Sequence, residues 1–298
     1  MKIGVLGPKG TFSDKAYIKF KKYVNKQLEK KGESIDLEVE YFPTIDEVFF
    51  SDSVDLGLVP IENTLDGYVQ RTLDLLLEEN VHIIDETMVS VQFSLVGNVN
   101  SLDEIEKLFV QFKANGQCRQ FINTLKGVEI VSTESNMDSY YKIGDTKGYA
   151  AIVPQHIAED ETERFVVDNV TDTDSNYTRF VLFDKGRIGI ENLKEEFGKP
   201  HNMDNHIVEK RTSDKVRIPV YIMPEEDRPG LLFHILKCFY EKDINLISIM
   251  SRPTKQAMGT YNFYIEIDTF CDRLDVIIDA LTQIGEYNGI KILGVYEE

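Results

Sequence analysis

The sequence predicts an α/β protein. A mixed α/β region with substantial parallel strand pairing occupies residues 1–185, a linker follows at 186–215, and a ferredoxin-like βαββαβ unit closes the chain at 216–298. Three observations carry this reading. Short apolar runs alternate with helix-period stripes through the first region, the mark of strands joined by helices. Periodicity then fails across 186–215, a polar stretch with scattered Gly, Pro and Asn, read as a linker with a short helix near 191–197. The remaining segment runs strand, helix, strand, strand, helix, strand. A length of 298 residues fits two domains.

Taken in order, Lys2 to Leu6 reads as a strand closed by the turn Gly7-Pro8-Lys9-Gly10. From Asp14, the positions Tyr17, Ile18, Phe20, Tyr23, Val24 and Leu28 form one helical stripe. Asp55 to Val59 is a short buried strand, and Val69, Leu73, Leu76 and Leu77 mark the next helix. Strands are expected at Val81 to Ile84 and Met88 to Val96, and Ser101-Leu102-Asp103-Glu104 is a capping box opening a helical turn. Further strands fall at Lys107 to Gln111, Val128 to Val131, Tyr149 to Val153, Phe165 to Val170 and Tyr177 to Phe183.

In the C-terminal unit, the strand Val216 to Met223 leads through a Pro- and Gly-containing turn into a helix with Leu231, Leu232, Ile235, Leu236 and Phe239 on its apolar side. Strands at Ile244 to Pro253 and Thr260 to Phe270, a helix at Leu274 to Ile284 and a strand at Ile290 to Tyr296 complete it. The exposed edges and face of so small a sheet favour pairing with a second copy.

The formal net charge is −18, of which −13 falls in residues 1–185. Nucleic-acid binding needs a basic face, so that class is excluded. An anionic ligand would need local donors that overcome the overall field. Cys118, Cys238 and Cys271 form no CxxC pair, and the five histidines make no HExxH, so neither a disulfide framework nor a metal site is expected. The N-terminus reads as a strand rather than a signal peptide, and no apolar run approaches a membrane span, so the expectation is a cytoplasmic protein with no membrane partner.

Gly4, Gly7 and Gly10 are spaced as GxxGxxG, not GxGxxG, so the start is not a dinucleotide fingerprint. Beyond the turn, Thr11-Phe12-Ser13-Asp14 stands at a helix start, where free amides can receive an anion or where Thr11 and Ser13 simply cap. Glu62-Asn63-Thr64 and Ser132-Thr133 also stand just beyond apolar strands, where open α/β sheets bind ligands. Asn176-Tyr177-Thr178-Arg179-Phe180 runs a polar cluster straight into the strand Val181-Leu182-Phe183, offering a hydroxyl and a guanidinium fork suited to a carboxylate.

Taken together, Gly7 to Ser13, Val59 to Asn63 with Gly67, Gly116 to Ile122 and Asn176 to Phe180 resemble prephenate dehydratase in order and spacing. Asp227 to Leu232, Ile244 to Leu246 and Ser251 to Pro253 resemble its regulatory ACT domain. The resemblance implies two lobes of periplasmic-binding-protein type (type II) with substrate in the cleft between them. It implies loss of the ring hydroxyl and carbon dioxide from prephenate to give phenylpyruvate, on the way to phenylalanine, without cofactor or metal. Thr178 matches the family's catalytic threonine. Thr11, Asn63, Thr64, Ser132, Thr133, Asn176, Arg179 and Phe180 are expected to line the cleft, with Arg179 as carboxylate anchor.

The resemblance also implies L-phenylalanine as an inhibitor bound between ACT domains of a homodimer or homotetramer. Gly230, Leu231, Leu232, Asn245, Leu246, Ser251, Arg252 and Pro253 would form that site. The chain departs from the family pattern at Gln111-Phe112-Lys113, where His-Pro-Gln is usual, and at Ser135 to Asp138, where small alanines are usual. Leu231 and Met250 replace the Ala and Glu of the regulatory motifs. Two other classes compete: a catalytically dead amino-acid sensor, opposed by the intact Thr178, Asn176 and Arg179, and a small-solute binding protein, opposed by the attached ACT unit.

Overall fold

The computed structural model describes residues 1–29, 35–186, 189–190, 193, 201–203, 206–208, 214–226 and 228–297. Lobe 1 is built from β1 (Lys2–Leu6), α1 (Phe12–Glu29), β2 (Glu38–Phe42), α2 (Ile45–Phe50), β3 (Leu56–Asn63), β4 (Gly67–Tyr68), α3 (Gln70–Glu78) and β5 (Val81–Ser90). The chain then crosses to lobe 2. This contains β6 (Phe93–Gly97), β7 (Lys107–Gln111), α4 (Phe112–Gln117), α5 (Arg119–Ile122), β8 (Glu129–Thr133), α6 (Asn136–Ile143), β9 (Tyr149–Pro154), α7 (Gln155–Ala158) and β10 (Phe165–Val167). It returns to lobe 1 as β11 (Tyr177–Lys185).

The two lobes repeat one plan. Sheet order is β2-β1-β3-β11-β5 in the first and β8-β7-β9-β6-β10 in the second. In each, three parallel strands are followed by one antiparallel strand that arrives directly from the other lobe. Two crossings therefore flank a cleft, the periplasmic-binding-protein-like form that the motifs imply.

Several elements differ from the sequence-based expectation. Strand β2 and helix α2 were not expected: Glu38-Val39-Glu40-Tyr41 is too polar for a buried strand, and α2 has only six residues, with Val48 and Phe49 as its buried contribution. Pro60 did not end β3, which runs to Asn63. The pairing with β11 shifts register at Arg179/Phe180, leaving Ile61 of β3 as a bulge next to Pro60, the residue that lacks an N–H. Residues 81–90 form one strand, and the break falls at Val91-Gln92, where the chain crosses. Ser101 makes no side-chain cap on the 3₁₀ turn Leu102–Glu104; Glu104 instead accepts from Asn100 N at 2.9 Å.

Between β11 and the C-terminal unit, β12 (His201–Met203) pairs antiparallel with β13 (His206–Val208). The helix expected near 191–197 lies outside the described residues except for Leu193, which is buried in the C-terminal core. That unit comprises β14 (Lys215–Pro224), α8 (Leu231–Glu241), β15 (Asn245–Pro253), β16 (Tyr261–Phe270), α9 (Leu274–Gly285), β17 (Asn288–Ile292) and β18 (Tyr296–Glu297). Its sheet order β15-β16-β14-β17 is ferredoxin-like.

One face of this sheet packs under α8 and α9 through Ile218, Val220, Ile265, Ile277 and Leu281. The other face is pressed against lobe 1, where Tyr221, Tyr264, Leu293 and Tyr296 share a core with Leu73, Leu76, Val181 and Phe183. Burying each such side chain stabilises the contact by about 1.5–3 kcal/mol. Polar groups also bridge this seam. Tyr221 donates to Leu73 O at 2.9 Å, and Lys291 donates to Leu76 O and Leu77 O at 2.7 and 2.9 Å, its cation meeting the carbonyl end of α3. At the break in the last strand, Gly294 lets lobe 1 approach closely: a Cβ there would lie 2.2 Å from Ile83 O, and Ile83 N donates to Leu293 O.

Candidate active site in the cleft between the lobes

A cleft of about 420 Å³ opens between the lobes. Lobe 1 contributes the β1–α1 turn, the end of β3 and the start of β11; lobe 2 contributes α4 and the start of α6. Apart from the start of antiparallel β11, these are the carboxyl ends of parallel strands, where βα turns present amides and side chains together.

Thr178 lies on this wall. Asn63, its cross-strand partner, donates from Nδ2 to Thr178 Oγ1 at 3.0 Å and to Asn176 Oδ1 at 2.9 Å. Asn63 is itself held, because its Oδ1 accepts from Leu65 N and Asp66 N, both at 3.0 Å. Asn176, fully buried, passes the network to lobe 2 by donating to Gln117 Oε1 at 3.0 Å. The chain Gln117–Asn176–Asn63–Thr178 thus spans both lobes. Since Thr178 Oγ1 accepts from Asn63, its own O–H remains to donate into the cleft.

The apolar wall includes Leu6, Pro8, Pro60, Val69, Val91, Phe93 and Phe180, with Phe12 edge-on to Phe93 at 5.4 Å. Phe12 and Ser13 begin α1, whose first amides have no partner within the helix. Asp14 organises that turn, accepting from Gly10 N at 2.8 Å and from the Tyr41 hydroxyl. Burial and the Asp14 carboxylate push the Tyr41 hydroxyl pKa up, so it stays a donor. From lobe 2, His156 meets Gly10 O at 3.1 Å through Nε2. A carbonyl can only accept, so His156 carries its proton on Nε2. Burial and the nearby Lys15 cation lower its pKa and keep the ring neutral.

The expected residues divide. Thr11, Asn63, Thr178 and Phe180 line the cleft. Asn176 stands behind the lining as a positioning residue. Thr133 is buried beneath it, with its Oγ1 2.6 Å from Ser139 Oγ, shaping the turn that brings Ser135 and Asn136 forward. Ser132 points the other way from Thr133 on edge strand β8 and is exposed. Thr64 clips the return crossing, donating to Ser175 O and accepting from Tyr177 N at 3.0 Å each, on the far side of the sheet.

Arg179 requires the main correction: it is not in the cleft. Successive side chains of a strand face opposite sides, so a cleft-facing Thr178 and Phe180 send Arg179 to the back of the sheet. There it donates to Glu62 at 2.9 Å, Glu86 at 3.1 Å and Glu266 at 2.7 Å, in a buried cluster completed by Arg217 on Glu86 at 2.6 Å. Burial opposes its charge, but Glu266 and the surrounding groups more than compensate and hold it protonated.

Residues not singled out as site members, Gln111, Lys113, Gln117, Glu134, Ser135 and Asn136, also line the cleft. The signal was present: Gln111, Lys113, Ser135 and Asn136 are departures from the family pattern, and Gln117 sits in the Gly116 to Ile122 motif. Among the described residues, no group of three or more His, Cys, Asp or Glu is placed to hold a metal. Cys118 is buried at the end of α4, its thiol pushed up to about 12 by burial and by Asp172.

In the C-terminal unit, Gly230 takes φ +81° at the start of α8, where Leu231 and Leu232 follow. Ser251 and Pro253 are exposed on edge strand β15. Arg252 is turned inward to Asp74 of α3, with hydrogen bonds of 2.9 and 2.7 Å, and is not a free lining residue of the ACT surface. Burial disfavours the Asp74 charge, but Arg252 and Lys255 overcome it and lower its pKa. Asn245 lies at the opposite end of the sheet from Gly230 and Ser251: Asn245 and Arg217 share the row of Asp268, whereas Ser251 and Ile222 share that of Phe263.

Fold and cleft define a two-lobed α/β enzyme that acts on a small molecule and carries a C-terminal regulatory unit. Residues 3–187 match the prephenate dehydratase family and residues 226–286 the ACT domain. The prephenate dehydratase of Methanocaldococcus jannaschii is 31% identical over 97% of this chain and 95% of its own. The crystal structure of prephenate dehydratase from Staphylococcus aureus superposes with a TM-score of 0.75 at 25% identity, covering 100% of both chains. That of the Arthrobacter aurescens enzyme in complex with L-Phe superposes at 0.73, also at 25% identity, over 100% of this chain and 90% of that one. The chain belongs to the prephenate dehydratase family of lyases and carries an ACT domain.

His156 and Arg179 each set a measurable part of the stability. Because His156 has a lowered pKa when folded, the unfolded chain binds the extra proton first as pH falls. Its contribution is complete above about pH 6.5 and is lost progressively below that. Calorimetry between pH 7.5 and 5.5 should show a smaller fall in Tm for His156→Gln than for the parent. Arg179→Met should cost about 3–5 kcal/mol in urea unfolding, since it leaves the buried Glu266 carboxylate without its cation.

Proposed function

We propose that this cleft binds prephenate and that Thr178 assists departure of its ring hydroxyl. One hydrogen bond carries the reading: Asn63 Nδ2 to Thr178 Oγ1 at 3.0 Å. It occupies the threonine oxygen as acceptor, polarises its O–H and leaves that proton for the leaving group. As the bond from the ring to its carboxylate breaks, the electron pair enters the ring and expels hydroxide, which takes up a proton as water. A threonine is too weak an acid to be ionised at neutral pH, so Thr178 works as a positioned donor through this network. Phe180, Phe93 and the neighbouring apolar wall take the ring, and the start of α1 and the lobe 2 donors take carboxylates.

Residues 1–185 form the catalytic domain, 186–215 the linker and 216–298 the regulatory domain in this reading. The enzyme acts in the cytoplasm; no helix of the described residues is long and apolar enough to cross a membrane. L-phenylalanine is the regulatory ligand, bound between ACT domains of two chains in a homodimer or a tetramer built from it. What supports a shared site is the separation of Asn245 from the Gly230 and Ser251 end. A two-fold axis brings one copy's Asn245 end beside the other's Gly230 end. The exposed Phe233 and Tyr240 on α8 and Ile247 and Ile249 on β15 provide an apolar surface for that contact.

Phenylpyruvate formation from prephenate tests the catalytic reading. Thr178→Val should fold normally and lose about 10²–10⁴-fold in kcat; near-parental turnover would reject the role. Titration calorimetry of the intact oligomer with L-phenylalanine should show saturable binding and a matching loss of activity, and absence of heat from a folded oligomer would reject the regulatory ligand.

A further inference from the structure

With Arg179 at the back of the sheet, the cleft contains, among the described residues, a single cation in its lining, Lys113 on α4. The other charged lining residues are Asp66 and Glu134, both acids. A substrate with two carboxylates enters a region whose net charge already repels it. Lys113 is 67% exposed and is bound to Asp66 at 3.0 Å, so the pair reaches across the cleft from lobe 2 to lobe 1. Asp66 belongs to the turn that Asn63 holds, because Asp66 N donates to Asn63 Oδ1.

An exposed ion pair of this kind is worth only about 0–1 kcal/mol, so replacing Asp66 by another carboxylate is inexpensive. Once the lobes and ligand exclude water, the same cation interacts more strongly with its partner. We propose that Lys113 is a substrate-binding residue of this enzyme: it exchanges Asp66 for a carboxylate of the substrate, and Asp66 is the internal competitor that occupies it in the empty cleft. The inference rests on the prephenate reading and adds the cationic anchor that Arg179 does not supply. Asp66 takes part only by vacating Lys113, while Gln117 and the first amides of α1 are left for the second carboxylate.

Steady-state kinetics of phenylpyruvate formation from prephenate separate the two levels. An inactive parental enzyme would refute the prephenate reading itself. In an active one, Lys113→Met should raise KM about tenfold or more, as expected for losing a charged hydrogen bond, with kcat within about threefold and Tm unchanged. Lys113→Arg should keep KM within about threefold of the parent. Asp66→Asn should lower KM or leave it unchanged, because the competitor is gone. A Lys113→Met enzyme with KM within about threefold of the parent overturns the proposal. So does an Asp66→Asn enzyme whose KM rises alongside that of Lys113→Met, since the pair would then be a latch between the lobes and not a carboxylate exchange site.

Discussion

Strand β11 faces two environments of opposite chemistry, and its period-two alternation is the constraint on which the site depends. Thr178 and Phe180 face the cleft; Arg179 between them is held at the back by carboxylates from β3, β5 and β16. Glu266 comes from the ACT sheet, so the same guanidinium joins the regulatory domain to the catalytic strand. Such a cluster adds little net stability over an apolar replacement, but it strongly penalises any register that leaves a charge alone. A one-residue slip of β11 would turn Thr178 away from the cleft and drive Arg179 into it. Correct docking of the ACT sheet and correct presentation of Thr178 to the cleft are consequently one structural condition.

Around that strand the cleft is assembled from turns whose conformation is locally dictated. Asp14 holds the β1–α1 turn, Asn63 the turn after β3, and Ser135 the start of α6 by accepting from Asp138 N. Donors therefore converge on the cleft from both lobes, although its charged lining, Lys113 against Asp66 and Glu134, is itself acidic. In the proposed reading a strongly negative chain still binds an anionic substrate: the long-range field is unfavourable, and short-range hydrogen bonds from amides, hydroxyls and Lys113 oppose it.

Legibility in the sequence followed burial. Strands buried on both faces, such as Lys2–Leu6, and helices with a full apolar stripe, such as α1, α3 and α8, were evident because the core requires their periodicity. The polar edge strand β2 and the short α2 were not, since neither contains enough apolar residues to show a period. The capping-box pattern at Ser101 misled because its Glu104 found a nearer donor in Asn100. Within the site, Asn63, Thr178 and Phe180 were legible from motif order. Ser132 and Arg179 carried the right chemistry but alternation put them on the wrong side, and Lys113 and Gln117 could not be ranked without knowing which face of α4 the cleft sees.

By itself the sequence determined the α/β class, the ferredoxin-like tail, the family and the motif that contains the proposed catalytic Thr178, because these reside in local periodicity and in ordered motifs. Only the tertiary structure decided which neighbours of that threonine act with it. Residues more than 100 positions apart, Asn63 with Thr178 and Asn176, become hydrogen-bond partners solely through the β3–β11 register. Side-chain direction is a property of strand pairing and not of composition. The same physics that directs Thr178 to the cleft directs Arg179 to the ACT domain.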